Sequence, residues 1–274
     1  TTRRQFLASL AAPAILTRAA VERPNVLFIS IDDLNDWVGC LGGHPDVKTP
    51  NLDRLAARGL LFTNAHCAAP LCNPSRAAIM TGTRPSTSGV YTNRQPFRQS
   101  PVTRNAITLP EYFRAHGYYA LGSGKIYHGA FPDPPSWDEY YPSQQQNRPV
   151  DPMPPNRPLN GIPNAGHFDW GPLEVEDDEM GDMKVVNWVA DQLHRKYERP
   201  FFLACGIFRP HLPWYVPEKY FELYPLDTVT LPKVKEDDLD DVPPVGRKFA
   251  RPEGDHKTVL EHNQWRRAVQ AYLA

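Results

Sequence analysis

The most constraining stretch of the chain is Val26-Leu27-Phe28-Ile29-Ser30-Ile31, a continuous apolar run that stops abruptly at Asp32-Asp33. A run of this kind without alternation reads as a strand covered on both faces, the pattern of a parallel sheet held between helices. The chain repeats the theme. Thr49-Pro50-Asn51 opens a helix with an N-cap and an early proline, and Gly59 closes it. Leu60-Leu61-Phe62 reads as a short strand or extended segment. Helices are expected from near Pro74 to Met80 and from Leu109 to His116, the latter stopped by Gly117. Tyr118 to Leu121 reads as a strand entering Gly122-Ser123-Gly124-Lys125. Met180 to Tyr197 is an amphipathic helix stopped by Arg199-Pro200, and Phe201 to Ile207 is a second buried strand. Strands alternating with helices predict an α/β domain with a mainly parallel sheet. Chemistry in such sheets gathers beyond the carboxyl ends of the strands. Asp32-Asp33, Gly124-Lys125 and Arg209-Pro210-His211 all fall there.

The 274 residues suffice for a substantial core. Lys and Arg number 30 against 31 Asp and Glu, so no basic excess points to nucleic acid or a polybasic membrane contact. Proline is abundant, with 30 residues, about twice the usual share. Eleven of them lie between Phe131 and Pro172, a long ordered loop insertion over 131–172. Lys235 to Asp241 is an acidic, solvated stretch. Four cysteines are too few for a disulfide scaffold. At the start, Arg3-Arg4 precedes the apolar run Phe6 to Leu16 and the small residues Ala19-Ala20. That is the layout of a twin-arginine export signal over residues 1–20, which implies the export machinery as a partner and an exported, periplasmic or secreted location. The run is too short to span a bilayer, which needs about 20 apolar residues. At the other end, Glu261 to Ala274 reads as a helix with Trp265, Val269, Tyr272 and Leu273 near one face, and it stops without a terminating signal. The expectation is a chain truncated at its C-terminus.

Two adjacent carboxylates after a buried strand repel each other by about 4 kcal/mol at 4 Å and an effective dielectric of 20. A divalent cation relieves this, and oxygen ligands suit Ca²⁺ or Mg²⁺; a pair capping the next segment is the alternative. Cys72-Asn73-Pro74-Ser75-Arg76 sets a cysteine at a helix start, where it can act as a nucleophile. Arg76 lies one turn on along the same side. A disulfide or metal pair between Cys67 and Cys72 remains open.

Cys72-x-Pro74-Ser75-Arg76 with Thr81-Gly82 resembles the signature of the sulfatase family, in which a maturation enzyme oxidises the cysteine to formylglycine. Asn25 to Asp33 resembles that family's first strand and metal-binding aspartates. Thr49 to Ala56 resembles its next helix, Gly124-Lys125-Ile126-Tyr127-His128 its lysine-histidine motif, and Pro200 to His211 its later strand with a histidine. The two-residue gap between Lys125 and His128, with Arg209-Pro210-His211-Leu212-Pro213 and Tyr224-Pro225-Leu226, is most similar to the iduronate-2-sulfatase branch and its bacterial relatives.

The resemblance implies an alkaline-phosphatase-like three-layer α/β sandwich with a mainly parallel central sheet, of which residues 21–274 are the N-terminal part. It implies hydrolysis of sulfate monoesters on sulfated sugars. Asp32 and Asp33 then hold Ca²⁺ (or Mg²⁺) beside the formylglycine derived from Cys72, itself a metal ligand. Arg76 holds the aldehyde hydrate with Lys125 as a second cation. His128 takes a proton during sulfate elimination, and His211 contacts the sulfate and protonates the leaving oxygen. A second metal-ligand cluster and a further sulfate-binding lysine, expected in the family, are not found before Ala274. The alternatives are a phosphoester or phosphonate monoester hydrolase of the same superfamily and an inactive carbohydrate-binding fragment.

Overall fold

The computed structural model describes residues 23–146, 148–251 and 254–274. The expected export signal, residues 1–20, lies outside the described residues.

Four strands form a parallel sheet: β1 (Val26–Ile31), β2 (Tyr119–Gly124), β3 (Glu139–Tyr141) and β5 (Phe201–Ile207), in the order β1-β5-β2-β3. Two layers of helix cover it. On one face lie α2 (Cys72–Thr81) and α4 (Leu109–Ala115), whose Ala77, Met80 and Phe113 pack against Phe28, Ala120, Phe202 and Ala204. On the other lies α5 (Gly181–His194), with Val185 and Val189 against Leu121, Leu203 and Cys205. The expected three-layer α/β arrangement is therefore present.

The elements differ from expectation where packing outweighs local pattern. Among the described residues β1 pairs with β5, at one margin of the sheet, and α5 sits over β2 and β5. Val26 and Phe28 join the core, while Leu27 and Ile29 on the opposite face remain 44% and 50% exposed. α1 (Pro50–Arg58) keeps its expected bounds. α2 begins at Cys72, two residues before Pro74, because proline is tolerated in a helix's first turn. β2 runs on through Gly122 to Gly124. At Gly124, φ is 79°, and a Cβ would stand 2.0 Å from the Gly206 carbonyl oxygen. Glycine thus lets β2 and β5 approach closely just where the chain turns out towards Lys125.

The proline-rich insertion is mostly irregular but contains β3, which supplies the sheet's other margin. Leu60 to Phe62 forms no strand and is exposed. A second lobe is built on the parallel pair β4 (Trp170–Leu173) and β6 (Trp214–Pro217), packed by α6 (Glu218–Glu222) and the C-terminal helices. The expected helix from Glu261 is broken there. α8 (Asp255–Glu261), which follows α7 (Pro244–Ala250), ends before Asn263, whose φ is 55°; asparagine tolerates this left-handed conformation better than most residues. α9 (Trp265–Leu273) then restarts, and Trp265, Val269 and Leu273 share one packed face as expected.

Candidate active site

Three parallel strands deliver their functional residues to one edge: Asp32 follows β1, Lys125 follows β2, and His211 lies four residues beyond β5. The start of α2 brings Cys72 to the same place and directs the positive end of the helix dipole at it. Asp32 is 5% exposed and carries two cations. Its Oδ1 accepts from Arg76 Nη2 at 2.6 Å, and its Oδ2 accepts from Lys125 Nζ. Lys125 Nζ also stands 3.6 Å from Cys72 Sγ. Arg76 Nη1 donates to the carbonyls of Lys125 and, at 3.0 Å, Ile126. One guanidinium therefore ties α2 to the turn that follows β2.

Burial alone would push the Asp32 carboxyl up. The charge of Arg76 and the hydrogen bonds from Lys125 and Arg76 outweigh it and hold the group below the ordinary carboxylate range. The two histidines are shifted the other way from what a nearby acid would give. Burial first, then the positive charges of Lys125 and Arg76, hold His128 below its ordinary value. Burial and Lys125 do the same to His211. Both rings are therefore neutral at pH 7. The Nδ1 of His211 faces the Leu212 carbonyl at 2.6 Å, and its Nε2 faces Asp33 Oδ2 at 3.8 Å. His128 Nδ1 is buried without a hydrogen-bond partner.

The structure thus places Asp32, Cys72, Arg76, Lys125 and His211 in direct mutual proximity, with His128 within electrostatic range of Lys125, Arg76 and Asp32. Asp33, at a φ of 58°, holds a half-exposed carboxylate 3.8 Å from His211 Nε2, and Asp32, Cys72 and His211 each bring a donor atom within 4.8 Å of the others. A cavity of about 390 Å³, lined by Asp32, Asp33, Cys72, Arg76 and Cys67, opens onto this cluster. A larger one of about 650 Å³ lies in the second lobe among Trp170, Phe221 and Arg267. The convergence of a thiol, two cations and a buried carboxylate singles out the smaller cavity as the candidate site. Cys67 and Cys72 are both free thiols.

A family model, that of the sulfatases, matches residues 24–273. The chain belongs to the sulfatase family. This sulfatase chain is 42% identical over 267 residues to a sulfatase of Formosa agariphila, covering 93% of itself and 52% of that protein. It is 35% identical over 238 residues to human iduronate 2-sulfatase, covering 81% of itself and 41% of that protein. It spans about half the length of these relatives. Among solved structures it is similar to the phosphonate monoester hydrolase of Agrobacterium radiobacter, with a TM-score of 0.60, 24% identity, and coverage of 92% of this chain and 56% of that one. A further similar structure, solved with D-glucosamine-2-N,6-O-disulfate as its substrate, has a TM-score of 0.55 and 22% identity, covering 77% of this chain and 39% of that one. At such identities both speak for the fold.

Several residues of this sulfatase site carry no local signal in the sequence. Asn73 is buried at the first turn of α2. Its backbone N–H donates to Asn93 Oδ1 at 2.9 Å, and its side-chain amide donates to the carbonyls of Thr92 and Gln95 at 2.8 and 2.7 Å. Asp182, in the first turn of α5, accepts the N–H groups of Phe208 and Arg209, each at 2.8 Å. That fixes the start of the turn to His211, whose ring lies tilted against Phe208 with the centroids 4.6 Å apart. Burial pushes the Asp182 carboxyl up, against those two hydrogen bonds. Tyr272 of α9 donates its hydroxyl proton to the Asp33 carbonyl and accepts from the Asn35 N–H, both at 2.9 Å. Its ring is held edge-on between Trp37 and Trp214, at 5.2 and 5.4 Å. Only the apolar half of Tyr272's role, its place on the helix face, was visible as a pattern.

Proposed function

We propose that the protein of which this chain is part hydrolyses sulfate monoesters on sulfated sugars, with residue 72 as the nucleophilic centre after conversion to formylglycine. The observation that carries the reading is Cys72 at the start of α2, with Lys125 Nζ 3.6 Å from its sulfur and Arg76 one turn behind it. The sugar class rests on human iduronate 2-sulfatase and on the glucosamine disulfate bound by a similar structure.

A sulfate ester is an anion with a slow S–O cleavage, and enzymes lower barriers of this kind by about 8–23 kcal/mol. A hydrated aldehyde at residue 72 supplies one hydroxyl for attack on sulfur and a second whose deprotonation lets the sulfate depart. This chain's own groups do the rest. Lys125 and Arg76 form a fixed, desolvated cationic wall for charge that grows on the sulfuryl oxygens. In this reading His128, whose Nδ1 has no hydrogen-bond partner and whose ring is held below its ordinary pKa by burial, takes up a proton. His211 faces the anion. Its ring is neutral when the site is empty, and a bound sulfate favours its charged form, so it holds a proton for the leaving oxygen only with substrate in place.

Oxygen at position 72, with the Asp32 and Asp33 carboxylates, makes a donor set that fits a hard cation such as Ca²⁺ or Mg²⁺. That cation supplies positive charge beside the nucleophile and lowers its proton affinity. Further partners in this reading are the enzyme that converts Cys72 and the twin-arginine export machinery, with the mature protein in the periplasm or outside the cell. Among the described residues no helix is long and apolar enough to cross a membrane.

The test is turnover of matched aryl sulfate and aryl phosphate esters by the full-length protein and its Cys72→Ala variant. Sulfate release that dominates and is lost in Cys72→Ala, with the variant still folded, is expected. Dominant phosphate release transfers the assignment to the phosphoester hydrolases, and undiminished sulfate release by Cys72→Ala ends it.

A further inference from the structure

As encoded, residue 72 is a thiol, and the thiol assembles a different donor set from the one the hydrolysis requires. Cys72 Sγ, an Asp32 carboxylate oxygen and a His211 ring nitrogen lie within 4.8 Å of one another. That is close to twice a zinc–ligand distance of about 2.0–2.3 Å, so one ion reaches all three after small side-chain rotations. Calcium takes oxygen ligands; a thiolate, an imidazole and a carboxylate together suit Zn²⁺.

Further details favour ligation over coincidence. His211 Nδ1 is 2.6 Å from the Leu212 carbonyl oxygen. A proton must sit on Nδ1 to make that bond, which leaves the Nε2 lone pair facing the cluster. A backbone carbonyl holding the far nitrogen is the usual support of a metal-binding histidine. Asp33 Oδ2 lies 3.8 Å from the same Nε2 and offers a fourth ligand. Asp32 also divides its two oxygens. Arg76 holds Oδ1 at 2.6 Å, and Lys125 holds Oδ2. Lys125 Nζ already bridges Asp32 and the Cys72 sulfur, which is the place an ion would take.

We propose that the unconverted thiol form binds one Zn²⁺ through Cys72 Sγ, His211 Nε2, Asp32 Oδ2 and Asp33. Zn²⁺ forms a bond to sulfur as the thiol S–H bond breaks, and the proton goes to solvent. Lys125 keeps its charge and moves off Asp32, while Arg76 keeps Oδ1. The thiolate and two carboxylates bring three negative charges to the ion. Replacing sulfur by oxygen at residue 72 removes the ligand that selects zinc and leaves a site for a hard cation. That switch of metal rests on the formylglycine reading; zinc binding by the thiol does not.

The experiment uses full-length protein produced without conversion of Cys72, its free thiols counted beforehand. Zn²⁺ is titrated against a chromophoric chelator, and Co²⁺ is used as a spectroscopic substitute. One Zn²⁺ per chain is expected, retained in millimolar Ca²⁺, together with a sulfur-to-cobalt charge-transfer band. Cys72→Ser should abolish the band and weaken zinc binding by more than about 100-fold, above the cost of losing an outer partner. His211→Ala should weaken it by at least about 10-fold, and Cys67→Ser, which removes the other thiol lining the cavity, should change neither reading. The band in unmutated protein needs no variant to fold. Its absence overturns the proposal, as does zinc binding that survives Cys72→Ser or disappears in Cys67→Ser. If the zinc results hold while converted protein releases no sulfate, the zinc site stands and the hydrolase reading falls.

Discussion

β1 and β2 both end at the reactive edge, yet they hold their residues in opposite ways. β2 is sealed: Ala120 and Leu121 are fully buried between α4 on one face and α5 on the other. The residue it delivers, Lys125, is buried and in contact with both Asp32 and Cys72. Among the described residues, β1 has one neighbouring strand and leaves Leu27 and Ile29 about half exposed. It delivers Asp32 into the buried cluster but leaves Asp33 half-exposed in a left-handed turn. In the proposed site the anion-facing half would thus rest on packed core, and the cation-facing half on the turn after β1, steadied from α9 by Tyr272. A preorganised charge needs the first arrangement; a cation site tolerates the second, because the ion itself ties its ligands together.

The largest expected effect is on the sealed side. Lys125→Ala should cut sulfate-ester turnover by about 10²–10³-fold, the cost of removing one preorganised donor, measured as kcat in the full-length protein. A loss under tenfold would mean that the buried wall is not where charge develops. Next comes the packing contrast itself. Leu121→Ala should destabilise the fold by about 2–5 kcal/mol in urea unfolding. Ile29→Ala, at a half-exposed position on β1, should cost about 1 kcal/mol. Equal losses would show that β1 is as well covered as β2 in the folded protein.

Tyr272→Phe removes both hydrogen bonds to the Asp33–Asn35 turn and keeps the aromatic packing. It should raise the Ca²⁺ dissociation constant of the converted protein by about 10-fold, read by calorimetry, with little change in melting temperature. Unchanged affinity would break the link between α9 and the cation-facing half. The smallest effect is a shift in a pH profile. A base must be unprotonated to work, and His128 is held below its ordinary value of about 6.5 by burial and by Lys125 and Arg76. The acidic limb of kcat/KM should therefore lie below pH 6.5 and move upward in Lys125→Ala. A limb that starts above that value would assign the proton to another group.

What could be read from the sequence divides along the same line. β5 kept its expected bounds, and the amphipathic helix that covers it, α5, fell inside its expected span, because buried runs and helical periodicity are local signals. β1 looked identical in composition to a doubly covered strand. Its place in the strand order is encoded by no local pattern. In the site, Cys72, Arg76, Lys125 and His211 were grouped by motif, and together with Asp32 they lie close to one another in the structure. Asp33 was expected beside Asp32 as a metal ligand; its carboxylate is half-exposed and lies 3.8 Å from His211 Nε2. Asp182 and Tyr272 act through backbone groups 26 and 239 positions away, so only the folded chain reveals them.

In the proposed reaction, turnover depends on an aldehyde at residue 72. The decisive measurement is the mass of the peptide carrying that residue, in preparations of the full-length protein converted to different extents. A peptide that has lost sulfur and two hydrogens and gained one oxygen is expected, in a fraction that rises in proportion to kcat for sulfate-ester hydrolysis. Full turnover from protein whose residue 72 is entirely thiol would contradict it.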